Sequence, residues 1–509
     1  MRIDVLLDPK HLARWHLWLL EDLRARGLTQ TTVSFAATPA PTLPPALGLL
    51  LDLERLTGRA GGESAIDPLS PDDPGFAAAS QFGATADLCI DLRDKPCSPA
   101  AGPLLVPLYN GEPGMAALWS AVLDGRAPLI SLAHAGKAAI PFALPAIEDP
   151  LALRLAATQI LARVVQAVAK AASDLAAGRN PAPPGGQPVP DLAPATRGSA
   201  AGFARALIEG KARSALSKRL RNAPRWAVAH RPAADGRTHP QSPLDIDRFS
   251  LLLDDGQRYF ADPFLFENGG QLHLFVEEFP YSTGRGLISH TVLGPDGHFS
   301  RPRQVLERPY HLSYPQIFAR DGQIWMLPET AASGGIELYR AERFPDHWEL
   351  AARLIDGRFH DATLFEHGGL LWIAAGSECR GSATWDGLSL FHAERLDGPW
   401  MPHPLNPVLV DARAARPAGE FYRVAGKLWR PAQNCTGGYG SALSLACVTK
   451  LDLEGFAQKT IATFRVSGRG SGPPEREARL LGPHTINWAA GIEVIDLFTP
   501  PSWRPGARL

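Results

Sequence analysis

The sequence predicts an α/β N-terminal domain joined to an all-β C-terminal five-bladed β-propeller. Two observations carry that prediction. Strand-like and helix-like segments alternate over the first third of the chain, and a phrase of about fifty residues recurs over its second half. A length of 509 residues adds that one ordinary core is not enough.

The elements follow in order. "RIDVLL" reads as a short buried strand. "HLARWHLWLLEDLRARG" places Leu12, Trp15, Leu19, Leu20 and Leu23 on one helical stripe and stops at Gly27. "TTVSFAA" returns as a strand, which gives the strand–helix–strand unit of a parallel sheet. "ADLCIDL" and "PLLVPLYNG" read as further strands and "GMAALWSAVLDG" as a helix. The apolar stretch Leu151–Ala177 contains Arg154, Arg163, Lys170 and Asp174, so it reads as a soluble helix rather than a membrane span. "RNPAPPGGQPVPDLAPAT" is too rich in Pro and Gly to build a core and reads as a linker. "FARALIEGKARSALSKRLR" is a basic helix with Lys211, Arg213, Lys218, Arg219 and Arg221 against Glu209. It suits either peripheral contact with an anionic membrane face or glycolipid head group, or, more plainly, a solvated face packed on a neighbouring domain. The expected boundaries are 1–148 for the α/β domain, 149–178 for the long helix, 179–198 for the linker, 199–250 for the basic helix (203–221) and connecting segment, and 251–509 for the propeller.

The propeller rests on repetition. "ADPFLFENGGQLHLFVEE", "SYPQIFARDGQIWMLPE" and "HDATLFEHGGLLWIAAG" align on their glycines, Gly270, Gly322 and Gly369. Asp262, Tyr314 and Asp361 then share one position, at steps of 52 and 47 residues, and Phe266, Phe318 and Phe365 share another. Outer segments echo too: "GIELYRAERFPDHWEL" matches "GLSLFHAERLDGPWMP". "GEFYRVAGKLWRPAQ" is a fourth copy and "HTINWAAGIEVID" a fainter fifth. Each copy reads as strand, glycine turn, strand, and a lone four-stranded sheet must stack on others to hide its faces.

Composition narrows the function. Lys plus Arg (51) balance Asp plus Glu (52), which argues against a nucleic-acid binder. Five scattered cysteines without a Cys-x-x-Cys pair argue against zinc and disulfide frameworks. With no signal-peptide pattern, the expected location is the cytoplasm, or its face of the inner membrane through the basic helix. No glycine-rich phosphate loop supports nucleotide binding.

The start of each repeat is the innermost strand, so its first residue faces the channel: Asp262, Tyr314, Asp361, Glu420 and His484. Several carboxylates around one axis oppose one another's ionisation, and they form the acid–base inventory of glycosyl chemistry. The plainer reading is that Asp-Pro and Asp-Ala start tight turns. Glu329, at the end of a second strand, competes with Glu420 as acid, and Glu277 holds the equivalent place in the first blade. Arg416 and Arg430 are candidate clamps for an anion. Tyr314, Trp325 and Trp372 are candidates for sugar stacking, with blade packing the alternative, and His311, Gln433 and Asn487 for hydroxyl contacts.

Three resemblances attach to these residues. "GEPGMAALWSAVLDGRAPLISL" resembles the N-terminal domain of formyltransferases acting on amino groups, which implies a catalytic Asn, His and Asp; Asn110 is present, but His134 lies beyond the expected spacing. The carboxylate placement resembles five-bladed propeller hydrolases such as arabinanases, invertases and levansucrases. That implies Asp262 as base, Asp361 as tuner, Glu420 as acid, and an ion or water near His484, with no other cofactor or metal. "FADPFLFE", "SYPQIFARDGQIWMLPET", "NPVLVDARAARPAGEFY" and "HTIN" resemble, in order, the N-terminal domain of plant glucosamine inositolphosphorylceramide transferases. The sequence stops after these phrases, so the resemblance implies a glycan, glycolipid or sugar-nucleotide ligand rather than transfer itself. The expected function is glycosyl hydrolysis or transfer at the channel. A non-catalytic glycan- or glycolipid-binding module and a sugar N-formyltransferase are the alternatives.

Overall fold

The computed structural model describes residues 1–37, 45–56, 63–77, 86–96, 103–134, 137–186, 189, 198–219, 225–233, 244–252, 254–467 and 482–499. Two compact units emerge. One comprises Met1–Arg213 with 379–383 and 409–411, and the other the remainder.

The first unit is α/β. Its sheet runs Thr31–Phe35, Ile3–Leu7, Leu88–Asp91, Leu104–Tyr109, Ile130–His134, Ile140–Ala143. The first four strands are parallel and the last two join antiparallel. Ile3, Val5 and Leu7 alternate inward, as a period of two requires. The helix Arg14–Ala25 buries Trp15, Leu19, Leu20 and Leu23, the stripe legible in the sequence. It lacks a Ser or Asp cap. Instead His16 Nδ1 accepts the Ala13 amide at 3.0 Å, and burial pushes the pKa of that imidazole down to about 3. The helix Leu153–Ala176 is buried along most of its length. Its charges are paired: Lys170 Nζ lies 2.7 Å from Asp174 Oδ2, and Arg163 donates to Gln166 Oε1 at 2.9 Å. Among the described residues no helix is long and apolar enough to cross a membrane. Ala200–Arg219 is a helix in which Arg205 pairs with Glu209. The side chains of Arg213, Lys218 and Arg219, all of Arg221, and most of the Pro/Gly-rich segment lie outside the described residues.

The second unit is a five-bladed propeller. Blade one is Arg258–Asn268, Gln271–Pro280, Leu287–Val292 and Arg303–Leu306. Blade two is Ser313–Arg320, Gln323–Glu329, Gly335–Arg343 and His347–Asp356. Blade three follows Phe359–His367, Leu370–Ser377, Gly387–Ala393 and Met401–Pro402, and blade four Tyr422–Val424, Lys427–Asn434, Ala442–Leu451 and Phe456–Phe464. Blade five joins Ile486–Ala489 and Ile492–Thr499 to Arg225–Pro232 and Ser250–Leu251. The ring therefore closes by pairing strands distant in sequence, Ile492 to Thr499 against Pro232 to Arg225. Two of these strands, Arg225–Pro232 and Ser250–Leu251, begin before residue 251 and carry no copy of the repeat.

The repeated phrase encodes a repeated defect. In blade one, register slips by one residue between Ala261 and Phe264; in blade two, between Ser313 and Gln316; in blade three, between His360 and Thr363. The first residue inside each bulge is left-handed: Asp262 at φ 48°, Tyr314 at 48° and Asp361 at 51°. Bulges re-aim side chains, and non-glycine residues at positive φ are held there by their surroundings. On the fourth inner strand the left-handed position falls at Gly419, φ 137°. A Cβ there would collide with the Ile486 carbonyl oxygen. Gly419→Ala is therefore expected to destabilise the protein by more than about 1 kcal/mol, seen as a lower urea midpoint. An unchanged midpoint would mean the fifth blade can yield at that contact.

Candidate functional site

The three bulges turn their first side chains toward the axis, where all become buried. Asp361 is 3% exposed. Arg416 grips it with two nitrogens, Nε to Oδ2 at 2.6 Å and Nη2 to Oδ1 at 3.3 Å. Gln433 Nε2 donates to Oδ2 at 2.8 Å. Tyr314, fully buried, accepts the Gly419 amide at 2.5 Å and meets Thr363 Oγ1 at 3.0 Å, so its ring is an axial strut rather than a sugar platform.

Asp262 sits in a second network. Thr485 Oγ1 donates to its Oδ1 at 2.8 Å, and its own amide donates to Asp496 Oδ2 at 3.1 Å. His484 lies between the two acids, Nε2 at 3.4 Å from Asp262 and Nδ1 at 2.6 Å from Asp496 Oδ2. The latter is the closer of the two charge contacts. Asp496 also accepts the His484 and Thr485 amides at 3.0 and 2.9 Å. Burial opposes a charged His484, but the two carboxylates outweigh it and raise its pKa. Burial pushes Asp262 up to about 6; Asp361 and Asp496 add to the rise, while His484 and Thr485 restrain it.

Glu277 pairs across the hairpin with Ala261, the residue before Asp262. Burial, then the fields of Asp262, Asp496, Glu329 and Asp361, hold its carboxyl well above the usual range. Glu329, its counterpart in blade two, pairs with Ser313 and bonds His360 Nδ1 at 3.1 Å. His311 Nε2 is 3.4 Å from Glu277 Oε1, and its Nδ1 accepts the Gly286 amide at 3.0 Å.

Other expected residues go elsewhere. Glu420 lines a cavity of about 330 Å³ with Gln316, Phe365, Phe421, Arg423 and Trp488, whose lining includes none of these acids. It stands one residue past Gly419, in the irregular segment before the strand Tyr422–Val424. Arg430 is fully buried and donates to the Ala414 and Ala415 carbonyls and Gln458. Asn487 stitches blades together, donating to the Pro263 carbonyl at 2.7 Å and accepting the Glu420 amide at 2.9 Å. Trp325 and Trp372 donate to the Arg320 and His367 carbonyls, the same intra-blade contact twice. In the first unit, Asn110 Oδ1 accepts the Leu129 amide and His134 Nδ1 faces the Leu104 carbonyl, so both serve the backbone.

Sequence reasoning missed Asp496, Thr485, Trp226, Trp385 and Tyr439, and gave Glu277 no role. Asp496 carried a signal: one acid inside the apolar run "VIDLF". Asp262, His484 and Asp496 offer donor atoms within 4.8 Å of one another, a grouping that could hold a cation. The raised pKa of His484 instead favours an imidazolium, which already compensates the two carboxylates.

Residues 254–470 match the family model described as glucosamine inositolphosphorylceramide transferase 1, N-terminal. The rice (Oryza sativa subsp. japonica) protein glucosamine inositolphosphorylceramide transferase 1 is 33% identical over 204 residues, 39% of this chain and 27% of that protein. Its Arabidopsis thaliana counterpart is 30% identical over the same length and shares. The match thus spans about a quarter of the length of these curated relatives. A solved Cellvibrio cellulosa alpha-L-arabinanase complexed with arabinohexaose is similar over 41% of this chain and 78% of that one, at 18% identity and TM-score 0.30, too weak a likeness to bear on activity.

Proposed function

We propose that the propeller, which resembles the N-terminal domain of glucosamine inositolphosphorylceramide transferases, is carbohydrate-active, with Glu277 and Asp262 as proton donor and acceptor at a glycosidic bond. One observation carries this: neighbouring carboxyls across one hairpin are driven to different proton occupancy. Burial and the surrounding acids raise the Glu277 carboxyl well above the usual carboxylate range. Asp262 is raised by burial only to about 6, because His484 and Thr485 favour its charged form. Carboxyl pairs split in this way mark acid and base. Glu277 gives its proton to the departing glycosidic oxygen as the C–O bond breaks. Asp262 takes the proton of the water or acceptor hydroxyl whose oxygen forms the new bond. Asp361 is fixed beside them by Arg416 and Gln433. The ligand is a glycan or the head group of a glycolipid. A binding module without turnover is the competing reading, and it draws support from how fully Asp361 is engaged by the protein itself.

Glu277→Gln tests the assignment with aryl and alkyl glycosides. Loss of the acid should cost about 10²–10⁴-fold in kcat/KM for alkyl leaving groups and much less for aryl groups that depart unaided. Equal losses on both would remove Glu277 from the acid role. The wild-type kcat/KM should rise with pH through about 6 as Asp262 ionises, and fall at higher pH as Glu277 loses its proton. Glycan binding without turnover in the wild type would favour the module.

A further inference from the structure

We propose that Tyr439 and Trp385 form the platform that positions a neutral or amino sugar ring over the carboxylates, which deepens, and rests on, the carbohydrate reading above. Tyr439 is 37% exposed, whereas Tyr314, also at the axis, is fully buried. The Tyr439 hydroxyl lies in the fields of Arg416, Asp361, Asp262 and Glu277. Arg416 stands over the ring at 5.2 Å, and Trp226 and His484 meet it edge-on at 6.0 and 5.1 Å. Trp385 lies 5.5 Å away at 32°, an offset contact that backs the Tyr439 ring and extends the aromatic surface.

The platform is built rather than incidental. Tyr439 sits in "NCTGGYGSA", a loop tied by Thr436 Oγ1 to Asn434 Oδ1 at 2.7 Å and by Ser441 Oγ to the Asn434 carbonyl at 2.7 Å. Gly440 packs so closely on Trp226 that a Cβ would overlap the indole. A fixed, part-exposed aromatic beside acids matches the two sides of a sugar: C–H faces stack on rings while hydroxyls donate to carboxylates. Charge sets the class of sugar. With Glu277 neutral as the acid, Asp262, Glu329, Asp361 and Asp496 still outnumber Arg416 and His484. Sugars bearing a carboxylate or phosphate are repelled, and an amino sugar is favoured.

Saturation-transfer NMR with methyl glycosides of neutral hexoses and pentoses, glucosamine and glucuronic acid tests this. Wild type should bind at least one neutral or amino member and ignore the glucuronide. Tyr439→Ala and Trp385→Ala should each weaken that binding by about tenfold, while Tyr439→Phe and Trp385→Phe, which keep a ring, should bind nearly as wild type. Thermal melting separates this from misfolding, and the phenyl variants carry the test if the alanine ones unfold, because loss of binding in a folded Phe variant would contradict a stacking role. Unchanged binding by folded Tyr439→Ala, or preference for the glucuronide, overturns the platform but leaves the carbohydrate reading standing. No binding by wild type to any member overturns both.

Discussion

Arg416→Ala should destabilise the protein by about 3–5 kcal/mol, the cost of stranding a buried partner charge. Asp361 and Arg416 are 3% and 8% exposed, and the guanidinium meets both carboxylate oxygens. Without it, Gln433 is the one remaining donor of the pair to Asp361 Oδ2. Asp361 cannot simply turn to water, since its backbone is fixed at φ 51° inside the bulge. Arg416→Lys keeps the charge but not the two-pronged geometry, so it should lose less than the alanine variant yet remain clearly below wild type. Adding Asp361→Asn to Arg416→Ala should recover part of the loss, because the stranded charge goes with it. Urea unfolding of the four proteins measures this. An alanine variant within about 1 kcal/mol of wild type would place the pair among weak surface bridges.

The propeller was legible in the sequence because its signals are local. A glycine turn, an alternating apolar run and a residue able to sit at positive φ recur within a few residues, so alignment finds them. The axial position of Asp262 and Asp361 follows from that alignment, since Asp tolerates the left-handed bulge that places it. Glu420 shows where the method stops. The fourth copy shortens its turn, and aligning on Glu420 rather than Gly419 moves the register by one residue, enough to pick a side chain in a cavity that none of the axial acids lines. Blade five was only half legible, through its fainter copy of the phrase, because its closure depends on pairing Arg225–Pro232 with a strand over 250 residues later in the chain, and no local pattern reports such a pairing. Glu277 was placed by its equivalence to Glu329 but given no role, and Asp496, one acid in an apolar run, gained meaning only when the fold gathered several acids at one axis.

Asp262→Asn should lower kcat/KM by about 10²–10⁴-fold while leaving the fold intact. Asn accepts left-handed backbone as readily as Asp, and its oxygen can still take the Thr485 hydroxyl, so φ 48° and the 2.8 Å contact both survive. What disappears is the group that titrates near 6, so the rise of kcat/KM through that pH should vanish in whatever activity remains. Stability adds an independent sign. Because burial raises the folded pKa of Asp262 above its value in the unfolded chain, its contribution favours folding at acidic pH and is lost as pH rises toward and through about 6. The substitution should flatten that segment of the stability–pH curve. It also removes one of the acids that raise the His484 pKa, so His484 should titrate lower, observable by NMR of its imidazole. Added formate, a carboxylate small enough to occupy the volume vacated in Asp262→Gly, where glycine tolerates φ 48°, should restore part of the turnover in that variant and none in Glu277→Gln. Wild-type turnover in Asp262→Asn would exclude Asp262 as the base, even if the His484 titration moves as expected.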